Sequence, residues 1–302
     1  MKMEQFADKL YKEIVKELGR EVRAEVREVR KNNGVILHGL LVRKQGQDVA
    51  ATIYLDTFLE AYESGMAFRP IVRKVLDICR EEWDREPVDM GFFQSFGQVR
   101  DRICYRLVRR KGNEGMLEGI PYIGFLDLAI CFYYAYHGEM GDGTIQINNS
   151  HMEMWGTCTE ELFGLSERNT PRLFPWECCG LQETLEEMAG MGGDAADSGG
   201  AAEALCEEDL MKVLSNTGKI HGAACILYPG VLEEIAGKTG HDLFILPSSV
   251  HEVILLPDTG RESSEALRQM VQEVNSTQVA PEEVLSDTLY RYDRARGRVM
   301  TA

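Results

Sequence analysis

The chain has 302 residues, of which 44% are hydrophobic and 27% are charged, and its formal net charge is −16. A chain of this length and composition can bury a large apolar core, which excludes an intrinsically disordered, collagen-like or disulfide-stapled protein. The negative charge argues against general affinity for nucleic acid or anionic membranes. The charge is uneven, because residues 1–112 hold 22 Lys and Arg against 18 Asp and Glu, whereas residues 113–302 hold 11 against 31.

The first predicted element is an amphipathic helix at the N-terminus. Four apolar residues recur every fourth position and share one helix face: Phe6, Leu10, Ile14 and Leu18. Charged residues interrupt this segment, so it does not resemble a secretory signal, and we expect a cytoplasmic protein. The eight cysteines follow no framework spacing, and we expect them to be reduced.

Residues 21–42 predict a β-hairpin. Glu21–Arg30 alternates apolar and charged side chains, and Val35–Val42 is a second apolar run. Asn32-Asn33-Gly34 lies between them and supplies the positive φ angles that a tight turn requires. The segments that follow predict one more strand and two helices: Val49–Leu55, Thr57–Ser64 and Arg69–Trp83.

The middle of the chain contains its longest apolar stretch, Gly119–Gly138, which includes Pro121, Gly124 and Asp127. These interruptions argue against a membrane span, and we predict a central strand at 125–136 with a hairpin partner at Gly143–Ile147. Two alternatives stay open for residues 98–112, where the apolar spacing suits a helix while Ile103–Val108 equally suits a strand. Helices are predicted at Glu160–Glu167 and Leu181–Met188, separated by a loop that contains Pro171, Pro175 and Trp176.

Residues 189–204 are small, polar and Gly-rich, which predicts a flexible connector or insertion. Strands are then predicted at Leu210–Leu214 and Ile220–Leu227, and a short helix at Val231–Ala236. A hairpin around 247–249 is predicted to join Asp242–Leu246 and Val250–Leu256. Two helices close the chain, one through Leu267–Val274 and one that begins at Pro281.

The irregular alternation of these elements predicts an α+β fold, with mixed or antiparallel sheets built from hairpins and flanked by amphipathic helices. We divide the chain into a helix–hairpin–helix region at 1–112 and an α+β region at 113–302, which form one unit with two subdomains. No cofactor or metal site is predicted. The G-x-G-x-x-A match at Gly190–Ala195 lies in the Gly-rich connector, where no strand precedes it and no helix follows.

Four residues are candidates for chemistry. Ser249 and His251 alternate on the 247–252 turn, so both can project from one face as a nucleophile and its base. Cys225 is a candidate nucleophile, and Asp127 is a carboxylate inside an apolar run, which is typical of functional sites. For Asp127 the alternative is a structural role in which it bonds backbone at a turn.

A basic cluster could contact phosphates, although the acidic remainder of the chain favours a solvated or internally paired face. Its members are Arg100, Arg102, Arg106, Arg109, Arg110 and Lys111.

Several segments resemble a bacterial family, and together they cover nearly the whole chain except residues 189–204. They include NNGVILHGLLV (32–42), GIPYIGFLDLAICFYY (119–134), KIHGAACILYPGVLEEIA (219–236) and LFILPSSVHEVILLP (243–257). These segments are similar to domain-of-unknown-function family 5688 of Gram-positive bacteria, with a weaker similarity to uncharacterised family 1444. The resemblance implies a single family unit and supplies no catalytic residue.

Two functional hypotheses follow from the residues. The first is a non-catalytic binding or regulatory protein of the cytoplasm, because no complete catalytic or cofactor constellation accompanies the core and turn signals. A protein partner fits this hypothesis, and nucleic acid does not. The alternative is a hydrolase-like enzyme that uses Ser249 and His251, or a reactive cysteine such as Cys225.

Overall fold

A computed structural model describes residues 1–19, 22–44, 51–83, 90–138, 141–181, 183–184 and 211–302. The chain forms two compact units: Met1–Phe92 with His137–Asp142, and Phe93–Tyr136 with Gly143–Ala302. The predicted connector at 189–204 lies outside the described residues, and the division at residue 112 stays a prediction. In the part that the structure describes, no helix is long and apolar enough to cross a membrane.

The first unit packs helices on a small antiparallel sheet. Helices α1, α2 and α3 span Met3–Leu18, Asp56–Glu63 and Phe68–Trp83, and strands β1, β2 and β3 span Val22–Arg30, Ile36–Lys44 and Ala51–Tyr54. The sheet order is β1-β2-β3. The predicted hairpin turn is confirmed, since Asn33 and Gly34 have φ angles of 60° and 71°. The apolar face of α1 is also confirmed, because Phe6, Leu10 and Ile14 are fully buried.

The remaining elements form two further antiparallel sheets with helices around them. Helices α4 to α9 span Phe96–Val99, Glu114–Leu117, Asn149–Trp155, Thr159–Leu173, Val231–Thr239 and Ser264–Thr277. Strands β4 to β7 span Ile103–Arg109, Tyr122–Phe125, Leu128–Gly138 and Gly141–Gln146. Strands β8 to β13 span Trp176–Gly180, Lys212–Asn216, Leu243–Leu246, Val253–Pro257, Tyr290–Asp293 and Arg298–Thr301.

One sheet has the order β4-β6-β5, with β7 also paired to β6. Of the two alternatives for residues 98–112, the strand is the one that forms, preceded by a 3₁₀ turn at Arg100–Arg102. The predicted strand at 125–136 divides in two, because Leu126 has a φ of 54° and turns the chain between β5 and β6. The predicted hairpin of β6 and β7 is confirmed.

The other sheet has six strands in the order β13-β12-β10-β11-β9-β8. Its neighbouring strands are antiparallel, and helix α9 packs its apolar side onto one face. Six buried residues form that contact: Phe244, Leu246, Leu256, Leu267, Val271 and Leu289. The α+β fold with antiparallel sheets is therefore confirmed.

The strand predicted at Ile220–Leu227 is wrong, because Gly222–Leu227 is a 3₁₀ helix. Lys219 and His221 have φ angles of 51° and 55°, which are incompatible with an extended strand. Three small residues at the start of this helix, Gly222 to Ala224, are buried and allow the tight packing that favours it.

The loop predicted at Pro171 is also wrong, because α7 continues to Leu173. A proline inside a helix removes one backbone hydrogen bond. Here buried side chains before it hold the last turn against β4. Asn169 Nδ2 donates to the Ile103 carbonyl at 3.0 Å, and Thr170 Oγ1 accepts from the Tyr105 backbone N–H at 3.1 Å.

The helix predicted from Pro281 does not form. The segment makes a turn and an isolated bridge between Val284 and Ser249, and β12 follows at Tyr290. Ser286, Thr288 and Tyr290 recur with a period of two, and all three hydroxyl groups bond to one carboxylate. This polar alternation holds the segment extended and overrides the helical spacing of its apolar residues.

Candidate functional site

The candidate site lies on one face of the sheet that β4 and β6 form. Arg106 alternates with Tyr105 and Leu107 along β4, so its side chain lies on the face opposite theirs. Its cross-strand neighbour on β6 is Cys131, and Tyr133 lies two residues farther along the same face. Cys131 and Tyr133 are buried, so this arginine places a cation on an apolar surface.

The Arg106 guanidinium has one hydrogen-bond partner in the described part of the chain. Its Nη2 donates to Gln146 Oε1 at 2.7 Å, and the Gln146 amide nitrogen donates to the carbonyls of Phe132 and Ile147. The Nε atom is buried and unpaired, and no described carboxylate forms an ion pair with this guanidinium. Burial lowers the pKa of Arg106, as expected for a cation removed from water without a counter-charge.

A turn after β9 positions a histidine against this sheet face. Asn216 ends β9, and its Oδ1 accepts from the backbone N–H groups two and four residues later, at 3.1 Å and 3.3 Å. Its Nδ2 donates to the carbonyl four residues later at 2.9 Å. The turn directs the ring of His221 onto the ring of Tyr133, with 5.3 Å between the centroids. We call Arg106, Gln146, Tyr133 and His221 the Arg106–His221 site.

A second histidine stacks on the first. The rings of His221 and His251 are 5.9 Å apart and inclined by 8°. His251 Nδ1 accepts from the His221 backbone N–H at 3.3 Å, so the neutral ring carries its proton on Nε2, which lies 3.7 Å from Glu283 Oε1. The His251 carbonyl accepts from Ser215 Oγ at 2.8 Å. These bonds join the 247–252 loop to β9.

The His221 imidazole is neutral at physiological pH. Burial lowers the pKa of His221 to about 3, and electrostatic interactions with Arg106 and His251 act in the same direction. Its Nδ1 atom is buried and has no hydrogen-bond partner among the described residues. The site therefore contains two unpaired buried nitrogen atoms, Arg106 Nε and His221 Nδ1.

We expect His221 to make the folded state sensitive to acid. The pKa of His221 is about 3 in the folded protein and about 6.5 in an unfolded chain, so the unfolded chain binds the proton first. The free energy of unfolding therefore falls as the pH is lowered through this window. The variant His221→Phe, which keeps a ring, should show a shallower fall. Urea denaturation between about pH 4 and pH 8 measures both slopes, and equal slopes would contradict the low pKa.

The candidate nucleophile Cys225 is fully buried in the 3₁₀ helix that follows His221. Its thiol donates to the Ser215 carbonyl at 3.2 Å. Burial raises the pKa of the Cys225 thiol to about 12. Since the thiolate is the nucleophile, this environment gives an unreactive cysteine.

We therefore expect iodoacetamide to modify Cys225 far more slowly than Cys158, which is exposed. The physical reason is that both access and thiolate formation are suppressed at Cys225. Time-resolved alkylation of the folded protein, followed by peptide mass spectrometry, measures the two rates. Comparable rates at the two positions would show that Cys225 is a reactive thiol.

The other candidate nucleophile, Ser249, lies on the loop between β10 and β11 and is 6% exposed. Its Oγ accepts from the backbone N–H of His251 at 3.0 Å. Among the described residues no hydrogen bond joins Ser249 Oγ to the His251 imidazole, whose Nδ1 is engaged by His221. A hydrolase requires a nucleophile bonded to its base, and this geometry does not provide that bond.

The structure places Asp127 away from these histidines, in the turn between β5 and β6. Its carboxylate accepts from Tyr290 at 2.5 Å, from Ser286 at 2.6 Å and from Thr288 at 3.2 Å. We call these residues the Asp127 cluster. Arg109 adds an ion pair to the neighbouring Asp287 at 2.9 Å. The cluster ties the β5–β6 turn to the chain that leads into β12, which is a structural role.

The basic cluster predicted at 100–111 does not form one continuous face. Its arginines bond to separate groups: Arg102 to the Ala135 carbonyl, Arg106 to Gln146, Arg109 to Asp287 and Arg110 to the Leu126 carbonyl. Lys111 lines an open cavity of about 520 Å³ together with Arg110 and Asp127. These separate partners favour internal pairing over a shared phosphate contact.

No group of three or more His, Cys, Asp or Glu side chains with the spacing of a metal site occurs in the described ranges. Sequence reasoning placed Arg106 in a surface cluster and missed Gln146, Gly222 and the hydroxyls of the Asp127 cluster. The signal for Arg106 was available, because Arg106 is the one charged residue in the apolar run ICYRLV (103–108).

The chain was compared with family models, with curated proteins and with solved structures. No curated protein and no solved structure shows significant similarity to it. The model of domain-of-unknown-function family 5688, described as a family of unknown function, matches residues 3–294. The weaker similarity to family 1444 stays a prediction. The chain therefore belongs to family 5688.

Proposed function

We propose that this protein is a non-catalytic module of the bacterial cytoplasm that binds a small molecule at the Arg106–His221 site. One observation carries the proposal: two buried nitrogen atoms, Arg106 Nε and His221 Nδ1, have no partner among the described residues. Buried polar atoms in native proteins are nearly always hydrogen-bonded. Both side chains lie close to Tyr133, so one ligand bound there would supply partners to both nitrogen atoms.

The surrounding structure holds these side chains in place before any ligand binds. Gln146 fixes the guanidinium from one side and is itself anchored to two backbone carbonyls. Asn216 fixes the turn that carries His221, and the ring of Tyr133 supports the imidazole. A preorganised site loses little conformational entropy on binding, which favours affinity for a small ligand.

Catalysis is the weaker interpretation of the same region. The Cys225 thiol is buried and bonded to a carbonyl, and Ser249 accepts from a backbone N–H. His251 has a ring nitrogen engaged by the backbone of His221. These groups stabilise the loop and turn that frame the site, and no described hydrogen bond joins the Cys225 thiol or the Ser249 hydroxyl to a general base.

Native mass spectrometry of the full chain purified from a bacterial cytoplasm tests the proposal. We expect a bound small molecule on the wild-type protein, lost in Arg106→Met. The matched control is Lys111→Met, which removes the same charge from an exposed position and should retain the adduct. A wild-type protein without any adduct, or an adduct that both variants keep, would count against a ligand at this site.

Labelling with a fluorophosphonate probe and turnover of simple esters test the hydrolase alternative. We expect neither labelling nor turnover above the level of Ser249→Ala. Turnover that this substitution abolishes would replace the binding proposal with an enzyme.

A further inference from the structure

We propose that the Arg106–His221 site binds the oxyanion group, a carboxylate or a phosphate, of its small ligand. This inference rests on the proposed binding function and names the chemistry of the ligand. It is carried by the charge of the site, by its unused hydrogen-bond donors and by the contacts that nearby carboxylates make with other side chains.

No carboxylate in the described part of the chain compensates the charge of Arg106. The guanidinium lies on an apolar sheet face, and its one described partner is the neutral amide of Gln146. A buried cation without a counter-charge is destabilising, so buried arginines are normally paired. Two partly exposed arginines of this chain have carboxylate partners: Arg109 pairs with Asp287, and Arg291 pairs with Asp242 and Asp258. Arg106 is the exception among these three.

The neighbouring carboxylates are engaged elsewhere. Glu283 lies 3.7 Å from His251 Nε2. Glu177 forms an ion pair with Lys219 on the turn. Neither carboxylate forms an ion pair with Arg106 in the described structure. The missing negative charge is therefore one that a ligand would bring.

The unused donors fit an oxyanion. A guanidinium offers several N–H groups in a planar fork that matches carboxylate and phosphate oxygens, and Gln146 uses one of them. His221 Nδ1 adds a further donor when it carries the imidazole proton. A neutral carbonyl ligand could accept these bonds and would still leave the charge of Arg106 uncompensated. Hydrogen bonds to a charged acceptor are about twice as strong as neutral ones.

Thermal denaturation and calorimetric titration with sodium phosphate and sodium acetate test this assignment, at constant ionic strength set by sodium chloride. We expect at least one of the two anions to raise the melting temperature of the wild type beyond the chloride control. Stabilisation by phosphate alone assigns a phosphate group, and stabilisation by acetate alone assigns a carboxylate. Stabilisation by both assigns the shared oxyanion chemistry.

Substitutions at Arg106, His221 and Lys111 test whether the anion binds at the Arg106–His221 site. Arg106→Met should raise the dissociation constant about tenfold or more, since it removes charge-assisted hydrogen bonds. His221→Phe keeps the ring and removes its nitrogen donor, so it should weaken binding less, while His221→Asn restores a short polar side chain and suits the positive φ. Lys111→Met changes net charge equally and should leave the dissociation constant unchanged within about twofold.

Two results would overturn the inference. One is a wild type that neither anion stabilises beyond chloride, and the other is an equal loss of binding in Arg106→Met and Lys111→Met. If the native adduct described above persists while neither anion binds, the ligand class is wrong and the binding function stands. If Ser249-dependent ester turnover is found, the binding function itself is wrong.

Discussion

Replacing Gly222 with alanine should destabilise the protein by roughly 3 kcal/mol or more. A Cβ atom built at this position lies 2.2 Å from Ser215 Oγ, 2.3 Å from the His251 carbonyl oxygen and 2.8 Å from the Asn216 backbone nitrogen. The carbonyl and the nitrogen are backbone atoms that cannot rotate away. Either the 3₁₀ helix moves away from β9, or the added methyl group breaks the bond between Ser215 Oγ and the His251 carbonyl, since it overlaps both atoms.

Chemical denaturation of Gly222→Ala and of a matched control measures this effect. Gly237 lies inside α8, and a Cβ atom there meets no atom within 4 Å. Gly237→Ala should therefore stabilise the protein by about 0.5–1 kcal/mol, because alanine is the better helix former. A Gly222→Ala variant as stable as the wild type would contradict the close packing of β9 against the helix.

Replacing Asp127 with alanine should destabilise the protein by about 2–4 kcal/mol. The Asp127 carboxylate accepts from the hydroxyls of Ser286, Thr288 and Tyr290. Removing it leaves the hydroxyls of Ser286 and Tyr290, both fully buried residues, without that acceptor. A buried donor that is left without an acceptor lowers the free energy of unfolding by more than the net contribution of the hydrogen bond that it lost. The β5–β6 turn would also lose its connection to β12.

A double-mutant cycle separates the pairwise energy from other effects of the substitution. The cycle uses Asp127→Asn, Tyr290→Phe and the double variant in urea denaturation. We expect the double variant to lose less stability than the sum of the two single losses, with a coupling of about 1–2 kcal/mol for this charge-assisted bond. Additive losses would show that the contact between Asp127 and Tyr290 does not stabilise the fold.

The contact between Asp127 and Tyr290 should persist to high pH. Burial, together with Asp127 beside it, raises the pKa of the Tyr290 phenol well above its ordinary value. The phenol therefore stays protonated and continues to donate to the carboxylate when exposed tyrosines ionise.

Local patterns in the sequence predict the elements whose stability is local. The spacing of Phe6, Leu10 and Ile14 gives the buried face of α1, and Asn33 with Gly34 gives the hairpin turn. In such segments the period of the apolar residues and the turn chemistry act within a few positions. These elements can be predicted without knowing any contact between distant parts of the chain.

The misread segments are those where a distant contact decides the local structure. The chain after Pro281 has helical apolar spacing, yet Ser286 bonds Asp127 across 159 positions. The segment around His221 looks extended, yet its turn is fixed by Asn216 and by His251, which is 30 positions away. Long-range hydrogen bonds of this kind override local propensity and leave no periodic signal.

In the candidate site, too, some features can be predicted from the local sequence, whereas others depend on contacts between distant residues. Arg106 is unusual from the sequence alone, because it is the one charged residue within the apolar run 103–108. Its partner Gln146 is 40 positions away, and the stacking of His221 on His251 depends on two separate loops. Candidate residues could therefore be named singly, while the constellation they form required the structure.

The melting temperature of Arg106→Met in a dilute zwitterionic buffer tests most directly whether Arg106 is a ligand-binding residue. A cation that lacks a counter-charge in the fold destabilises it, and an apolar side chain of similar size removes that cost. We predict that Arg106→Met melts at the same temperature as the wild type or higher, while losing stabilisation by phosphate and acetate. A variant that melts several degrees lower in this buffer would show that Arg106 is a structural residue, and would contradict the binding function proposed for the site.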